Sequence, residues 1–543
     1  MKLSRKIIAL FMTMAIIIST FFCFSVNSFA GYEGKVPIVY VRGQGSTLVI
    51  ENEDGSRQNV NFSIDISKAL NTALENKDVF IKAFLTQDWT DFSKLISGIL
   101  TDSFKDCKLD ETGEPTDGSK SHFSPTYEEV EQRYKSGTDG LETFYFDYDW
   151  RLDPYESMDE LENYIDLVLE VTGSEKYALC GRCEGSCLVL QYLEYYKEKH
   201  NNQYDERITD IVMYSSAVLG ASPMGEAFSG KLYLDPDALE RFVYDNDFGI
   251  DKDLGLFTLT DESFREIMTI FSNAYGLDLA CWAVNNVYQQ IYLSIIPEAL
   301  KNSYASFPGY WAMVSDKFYE DAKQTMFGGQ EDKYATFIEK IDKYHYNIQN
   351  RSEEILKEAQ SYGIEVSNIV KYGFQIYPVV ENCETQSDKI CDVYSAGWGV
   401  SSTNLGETFS ADYIKDAIKK GTVKYISPDN CIDASTTWLK DTTWFVKNLE
   451  HKKFPNSADP LVFTIVNTDN ITVDTYKDYP QYLYYDQDSD VIIPYDVENH
   501  KVKLDDYFSD PAVSFARKIK PAFKYFFKAL TFVINILMPK VKS

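Results

Sequence analysis

The 543-residue sequence is short of basic charge: 53 Lys and Arg stand against 83 Asp and Glu, a formal charge of −30. A surface of that sign repels phosphates, which disfavours nucleic acid as a partner. Histidine is scarce, with only His122, His200, His345, His451 and His500 to choose from for a general base. Zinc-finger spacing is absent, because C-x-x-C occurs only at Cys180 to Cys183 and lacks a second half. Three cysteines packed into residues 180–187 do not look like a disulfide framework, although Cys383 and Cys391 are close enough in sequence to pair. No internal repeat is present, and the longest uninterrupted apolar stretch of residues 511–543 is too short to span a bilayer. What is plentiful is apolar and aromatic residues, at 44% and 15%, which exclude a disordered chain.

Residues 1–30 read as a secretory signal peptide. Lys2, Arg5 and Lys6 precede the apolar run 7–24, and Ser28-Phe29-Ala30 offers small residues where a signal peptidase cuts. The expected location is therefore secreted or cell-surface. Residues 31–221 then alternate strand and helix signals. Val36–Val41 reads as a core strand ending in the glycine-rich turn 42–46, Val79–Leu85 as a further strand, and the run from Phe144 as another. Met158–Val171 has helical spacing, and Ile208–Ser215 is strand-like. Such alternation predicts an α/β fold with a mostly parallel sheet flanked by helices.

The chain is organised around Tyr177–Leu193. An apolar strand end meets Gly181-Arg182-Cys183-Glu184-Gly185, and a helical pattern follows from Cys187. G-x-C-x-G at a strand-to-helix turn has the form of the α/β-hydrolase nucleophile elbow, with cysteine in place of serine. From residue 222 to 362 long aromatic helical stretches replace strands, which predicts a helical cap or lid over the active face. Strand-like segments resume at Tyr372–Val380 and Leu461–Asn467, within a second core portion, 363–510. Residues 511–543 carry seven basic residues, no acid and a wide apolar face. They read as an amphipathic C-terminal helix, suited either to peripheral contact with an anionic membrane or to docking on the acidic body.

Four segments, in order, resemble the lecithin:cholesterol acyltransferase-like family, which includes phospholipid:diacylglycerol acyltransferases and lysosomal phospholipase A2. They are Pro37-Ile-Val-Tyr-Val-Arg-Gly43, Tyr148-Asp-Trp-Arg-Leu-Asp-Pro154, the turn at 181–185, and Ser489-Asp-Val-Ile-Ile-Pro494. The resemblance implies an α/β-hydrolase fold and acyl-ester hydrolysis or transfer, on lipids in this family. It makes Cys183 the nucleophile and Asp490 the acid, with Asp488 a rival. Backbone N–H groups at Gln44 and Glu184 would form the oxyanion site. The family's histidine follows the acid, and His500 is the one available beyond Asp490. His451, in Asn448-Leu-Glu-His, reads instead as a solvated helix end. Asp149 and Arg151 read as a structural ion pair, and Ser186 as a weaker nucleophile already on the helix. No cofactor or metal is implied.

Cysteine at such a turn is chemically competent, since thiolate is a strong nucleophile and a helix N-terminus favours it. Arg182 would favour it further and a charged Glu184 would oppose it. The expectation is an acyl-ester hydrolase or transferase working through a thioester. The alternative is a silent relative that binds a lipid, sugar or protein in the cap cleft. An amide hydrolase is the third reading.

Overall fold

The computed structural model describes residues 35–509 apart from 45–47, 52–55, 61–75, 117–124, 136–143 and 454–457, and scattered positions within 87–106 and 247–296. The expected signal, residues 1–30, and the basic tail, 511–543, lie outside the described residues.

Eight strands form the main sheet. They are β1 (Ile38–Val41), β2 (Phe144–Phe146), β3 (Tyr177–Arg182), β4 (Ile208–Tyr214), β5 (Glu365–Tyr372), β6 (Thr443–Lys447), β7 (Tyr482–Asp486) and β8 (Val491–Pro494). Their spatial order is β8-β7-β6-β5-β4-β3-β1-β2. Every pairing is parallel except β7 with β8, which is antiparallel at the edge. The alternation along each strand explains the two faces. Val39, Val41, Tyr177, Leu179, Ile211 and Met213 pack into one buried cluster. Ile38, Tyr40, Ala178, Cys180, Val212 and Tyr214 pack into another on the opposite face. A parallel sheet covered on both sides needs apolar residues at both phases, which is why β3 reads as an unbroken apolar run.

The helices cover those faces through their own periodicity. In α1 (Lys77–Thr86) the spacing Val79, Phe80, Ala83, Phe84 is helical, so the strand expected at 79–85 is a helix. Helix α2 (Met158–Thr172) buries Met158, Leu161, Ile165 and Val168 and stops at Gly173, which takes the left-handed conformation of a C-cap. Helix α3 (Gly185–Lys199) leaves the elbow and is buried along most of its first three turns. Next come α4 (Pro236–Asp245), α5 (Asp316–Phe327), α6 (Ala335–Asn347) and α7 (Ser352–Ser361). Within 305–348, Phe307, Tyr310, Trp311, Phe327 and Phe337 join the same buried cluster as the first face of the sheet.

Two further strand expectations shift. β5 ends at Tyr372, where Gly373 turns the chain at φ 107, so 373–380 is loop. Residues 461–467 lie mainly in helix α8 (Ala458–Val466), whose Leu461, Val462, Ile465 and Val466 seal the second face at i, i+1, i+4, i+5 spacing. Cys383 and Cys391 are not joined by a disulfide, and they belong to separate buried clusters. A mostly parallel sheet flanked by helices, with a G-x-C-x-G turn joining a central strand to its helix, is the α/β-hydrolase fold.

Candidate active site

Strand β3 ends at Arg182, Cys183 adopts φ 52, and α3 begins at Gly185. A left-handed non-glycine residue between strand and helix is the strained conformation that pushes one side chain outward. The turn is pinned by backbone bonds. Cys183 N–H donates to the Tyr214 carbonyl at 3.1 Å, and the Cys183 carbonyl accepts from Ser186 N–H at 3.1 Å and Ala217 N–H at 3.3 Å. Close approach explains the glycines. A Cβ on Gly185 would stand 2.0 Å from the Val41 carbonyl oxygen, and one on Gly181 2.6 Å from Ser186 Cα. Gly43 presses on Cys183 in the same way, since its Cβ would lie 2.6 Å from Cys183 Cβ. The Gln44 loop and the Cys183–Glu184 turn are thus adjacent, as an oxyanion site requires. Gln44 is held there because its side-chain amide donates to the Tyr310 hydroxyl.

Cys183 is half-buried, whereas its neighbours are sealed in. Ser186 Oγ donates to the Gly181 carbonyl at 2.8 Å, which spends its hydroxyl on the turn. Arg182 is buried, with its guanidinium 4.6 Å from the Tyr40 ring centroid and 5.5 Å from that of Tyr214. Glu184 is fully buried, and neither carboxyl oxygen has a hydrogen-bond partner among the described residues. Burial, then the negative charges of Cys183 and Asp149, push its carboxyl well above the usual range. Burial without a hydrogen-bond partner thus disfavours the charged form of Glu184. Below the turn, Arg151 and Asp149 form the expected buried ion pair. Arg151 Nε and Nη2 donate to the two carboxylate oxygens at 2.9 and 2.7 Å.

The structure does not bring His500 and Asp490 to this turn. Asp490 sits exposed in the β7–β8 hairpin, where it accepts from the Tyr485 hydroxyl at 2.7 Å. Asp488 is exposed in the same hairpin. His500 stacks on Tyr484 with centroids 4.6 Å apart, and its Nδ1 accepts from Asp496 N–H at 3.1 Å. The physical reason is topological: that hairpin is the antiparallel edge, and β6, β5 and β4 stand between it and β3.

A different pair stands by Cys183. Asp388 lies in the loop after β5 and His451 in the loop after β6, both sealed from solvent. His451 Nδ1 is 2.7 Å from Asp388 Oδ2, and His451 N–H donates to the Asp388 carbonyl at 2.9 Å. The other carboxylate oxygen accepts from Ile390 N–H at 3.1 Å and Cys391 N–H at 2.8 Å. Burial disfavours the charged imidazole. The charge of Asp388, its hydrogen bond to the ring and the electrostatic interaction with the Cys183 and Cys391 sulfurs outweigh it, and His451 ends well above its ordinary value. Burial likewise pushes Asp388 up, but His451, Lys371 and the Cys391 N–H bring it below the usual carboxylate range. His451 Nδ1 is thus spent on Asp388. Cys391 Sγ lies within 4.8 Å of the ligand atoms of His451 and Asp388, and burial pushes its thiol up to about 12. Cys187 on α3 is also held as a thiol, chiefly by burial.

Sequence reading missed Asp388 and passed over His451. Two signals were present. Ser-Asp-x-Ile occurs twice, at Ser489–Ile492 and at Ser387–Ile390. His451 also follows the end of β6 by four residues, which is the loop position of a catalytic residue on such a sheet. Asp388, Cys391 and His451 place one ligand atom each within 4.8 Å of one another, so this is also where the described residues could hold a metal ion.

No protein-family model matches the chain, and no curated protein matches it. One solved structure matches, that of Kex1(delta)p, a prohormone-processing carboxypeptidase from Saccharomyces cerevisiae. Its TM-score is 0.15 and its identity 13%, over 40% of this chain and half of that one. So slight a likeness carries no argument about activity. The fold stated above rests on strand order and the turn.

Proposed function

We propose that this protein is an acyl-ester hydrolase or acyltransferase with a Cys183–His451–Asp388 triad. The observation that carries the reading is the buried His451–Asp388 pair, 2.7 Å from Nδ1 to Oδ2, in electrostatic interaction with Cys183, which is presented at φ 52. The three residues follow β3, β5 and β6, in the chain order nucleophile, acid, base of this fold.

The chemistry follows from the groups. The Cys183 thiolate attacks the ester carbonyl carbon, forming a C–S bond. The oxygen's developing charge is met by the backbone N–H groups of Glu184 and Gln44, each worth about 2.7–4 kcal/mol in such sites. The C–O bond breaks and imidazolium His451 gives its proton to the departing alkoxide. Water or an acceptor alcohol then attacks the thioester, His451 takes its proton, and the C–S bond breaks to restore the thiolate. Asp388 keeps the ring oriented and stabilises its charged form.

The resemblance to the lecithin:cholesterol acyltransferase-like family supports an acyl ester, lipid among the candidates, as substrate. Export through residues 1–30 and membrane contact through 511–543 belong to the same proposal. The test is incubation with a short-chain p-nitrophenyl ester followed by peptide mass spectrometry. An acyl adduct on Cys183, lost in Cys183→Ala and persisting without turnover in His451→Ala, supports the reading. Absence of both adduct and turnover in the native protein rejects it in favour of a binding role.

A further inference from the structure

Lys371 lies on β5 with 1% of its surface exposed. Burying an ammonium is costly unless its hydrogens are all taken by acceptors. Here they are. Nζ donates to the carbonyls of Glu450 at 3.2 Å, His451 at 2.9 Å and Lys453 at 2.7 Å. Three bonds are the full donor capacity of the group. All three acceptors belong to the single loop that carries His451. The same Nζ is 5.0 Å from the Tyr214 ring centroid, and the Tyr214 carbonyl is the acceptor for Cys183 N–H. Lys371 therefore stands between the nucleophile turn and the histidine loop. Burial draws it down to about 7, against the charge of Asp388, while three carbonyl acceptors favour the ammonium form, which alone can donate to all of them.

The geometry also explains why lysine is there. Three carbonyls converging on one point suit a compact ammonium with three rotatable donors. A planar guanidinium fork matches paired oxygens instead. An apolar side chain would remove the shared donor, leaving the buried His451 carbonyl unsatisfied and the Glu450 carbonyl with Lys453 N–H, and the loop would lose the contact that gathers it.

We infer that Lys371 is a positioning residue of this site: by gathering the carbonyls of Glu450, His451 and Lys453, it holds the His451 ring in register with Cys183. The inference rests on the triad reading, so its test separates the two.

The full chain is labelled selectively with ¹⁵N-histidine, and ring signals are compared with those of Lys371→Met. A selective change at His451, with His122, His200, His345 and His500 unmoved, is expected. Ester turnover should fall by about 10²-fold in kcat, with KM within about twofold, as for a misplacement near 1 Å. Lys371→Ala should regain about tenfold when methylammonium refills the carbonyl pocket, and Lys371→Arg should not recover. An unmoved His451 signal in Lys371→Met overturns the inference, and so does a general shift of all five histidines, which would mean a merely structural lysine. If the native protein turns over no ester while His451 still moves selectively, the triad reading falls and the placement of the ring by Lys371 stands.

Discussion

Replacing Asp388 with Asn tests the assignment of the acid. The exchange keeps shape and a hydrogen-bonding oxygen but removes the charge that faces His451 across 2.7 Å. With charge centres about 4 Å apart and an effective dielectric near 20, that charge stabilises an imidazolium by about 4 kcal/mol. The imidazolium accompanies the thiolate and later delivers the proton, so the loss enters the rate directly, at about 10³-fold. The amide also offers Nδ1 the wrong hydrogen, which favours the wrong tautomer. The assay is the second-order rate of Cys183 alkylation by iodoacetamide, followed by peptide mass spectrometry, alongside ester turnover. Thermal melting checks that the variant is folded, since unpairing a buried charge costs about 3–5 kcal/mol. Asp490→Asn is the matched control and should change both rates by less than about twofold, because its carboxylate is exposed and bonded to Tyr485. An Asp388→Asn protein that alkylates at the native rate, or an Asp490→Asn protein that does not, would refute the reasoning.

The two histidines should divide in the same way: His451→Ala abolishes ester turnover, while His500→Ala leaves kcat/KM within about twofold. Glu184→Gln should stabilise the protein at neutral pH. The folded-state carboxyl, raised by burial and by Cys183 and Asp149, binds its proton above the range where the unfolded chain releases it. Native stability therefore falls as pH rises between those two values, by up to about 1.4 kcal/mol per pH unit, and the amide removes that slope. Urea unfolding of both proteins from pH 4 to 8 would show diverging midpoints, and parallel curves would contradict it. Gly185→Ala should lose about 3 kcal/mol or more, because its Cβ would stand 2.0 Å from the Val41 carbonyl, a backbone atom that cannot swing away. A native urea midpoint in that variant would mean the turn and β1 are not packed as described.

Local pattern determined what is local. The apolar run of β3, the glycines of G-x-C-x-G and the helical spacing after Cys187 are short-range features, and they announced the elbow, the parallel sheet and Cys183 at its tip. At 79–85 and 461–467 the apolar run is so short that its i, i+1, i+4, i+5 spacing does not by itself separate a buried strand from a helix. The residues that gather around Cys183 are set by long-range structure instead. Asp388 is 205 residues from Cys183 and His451 a further 63, and what joins them is the order of strands in space. A Ser-Asp-x-Ile run at the edge hairpin and another in the long loop after β5 look alike as sequence. Only the folded sheet decides which carboxylate is desolvated, paired with an imidazole and turned toward the thiol, and which one is left in water.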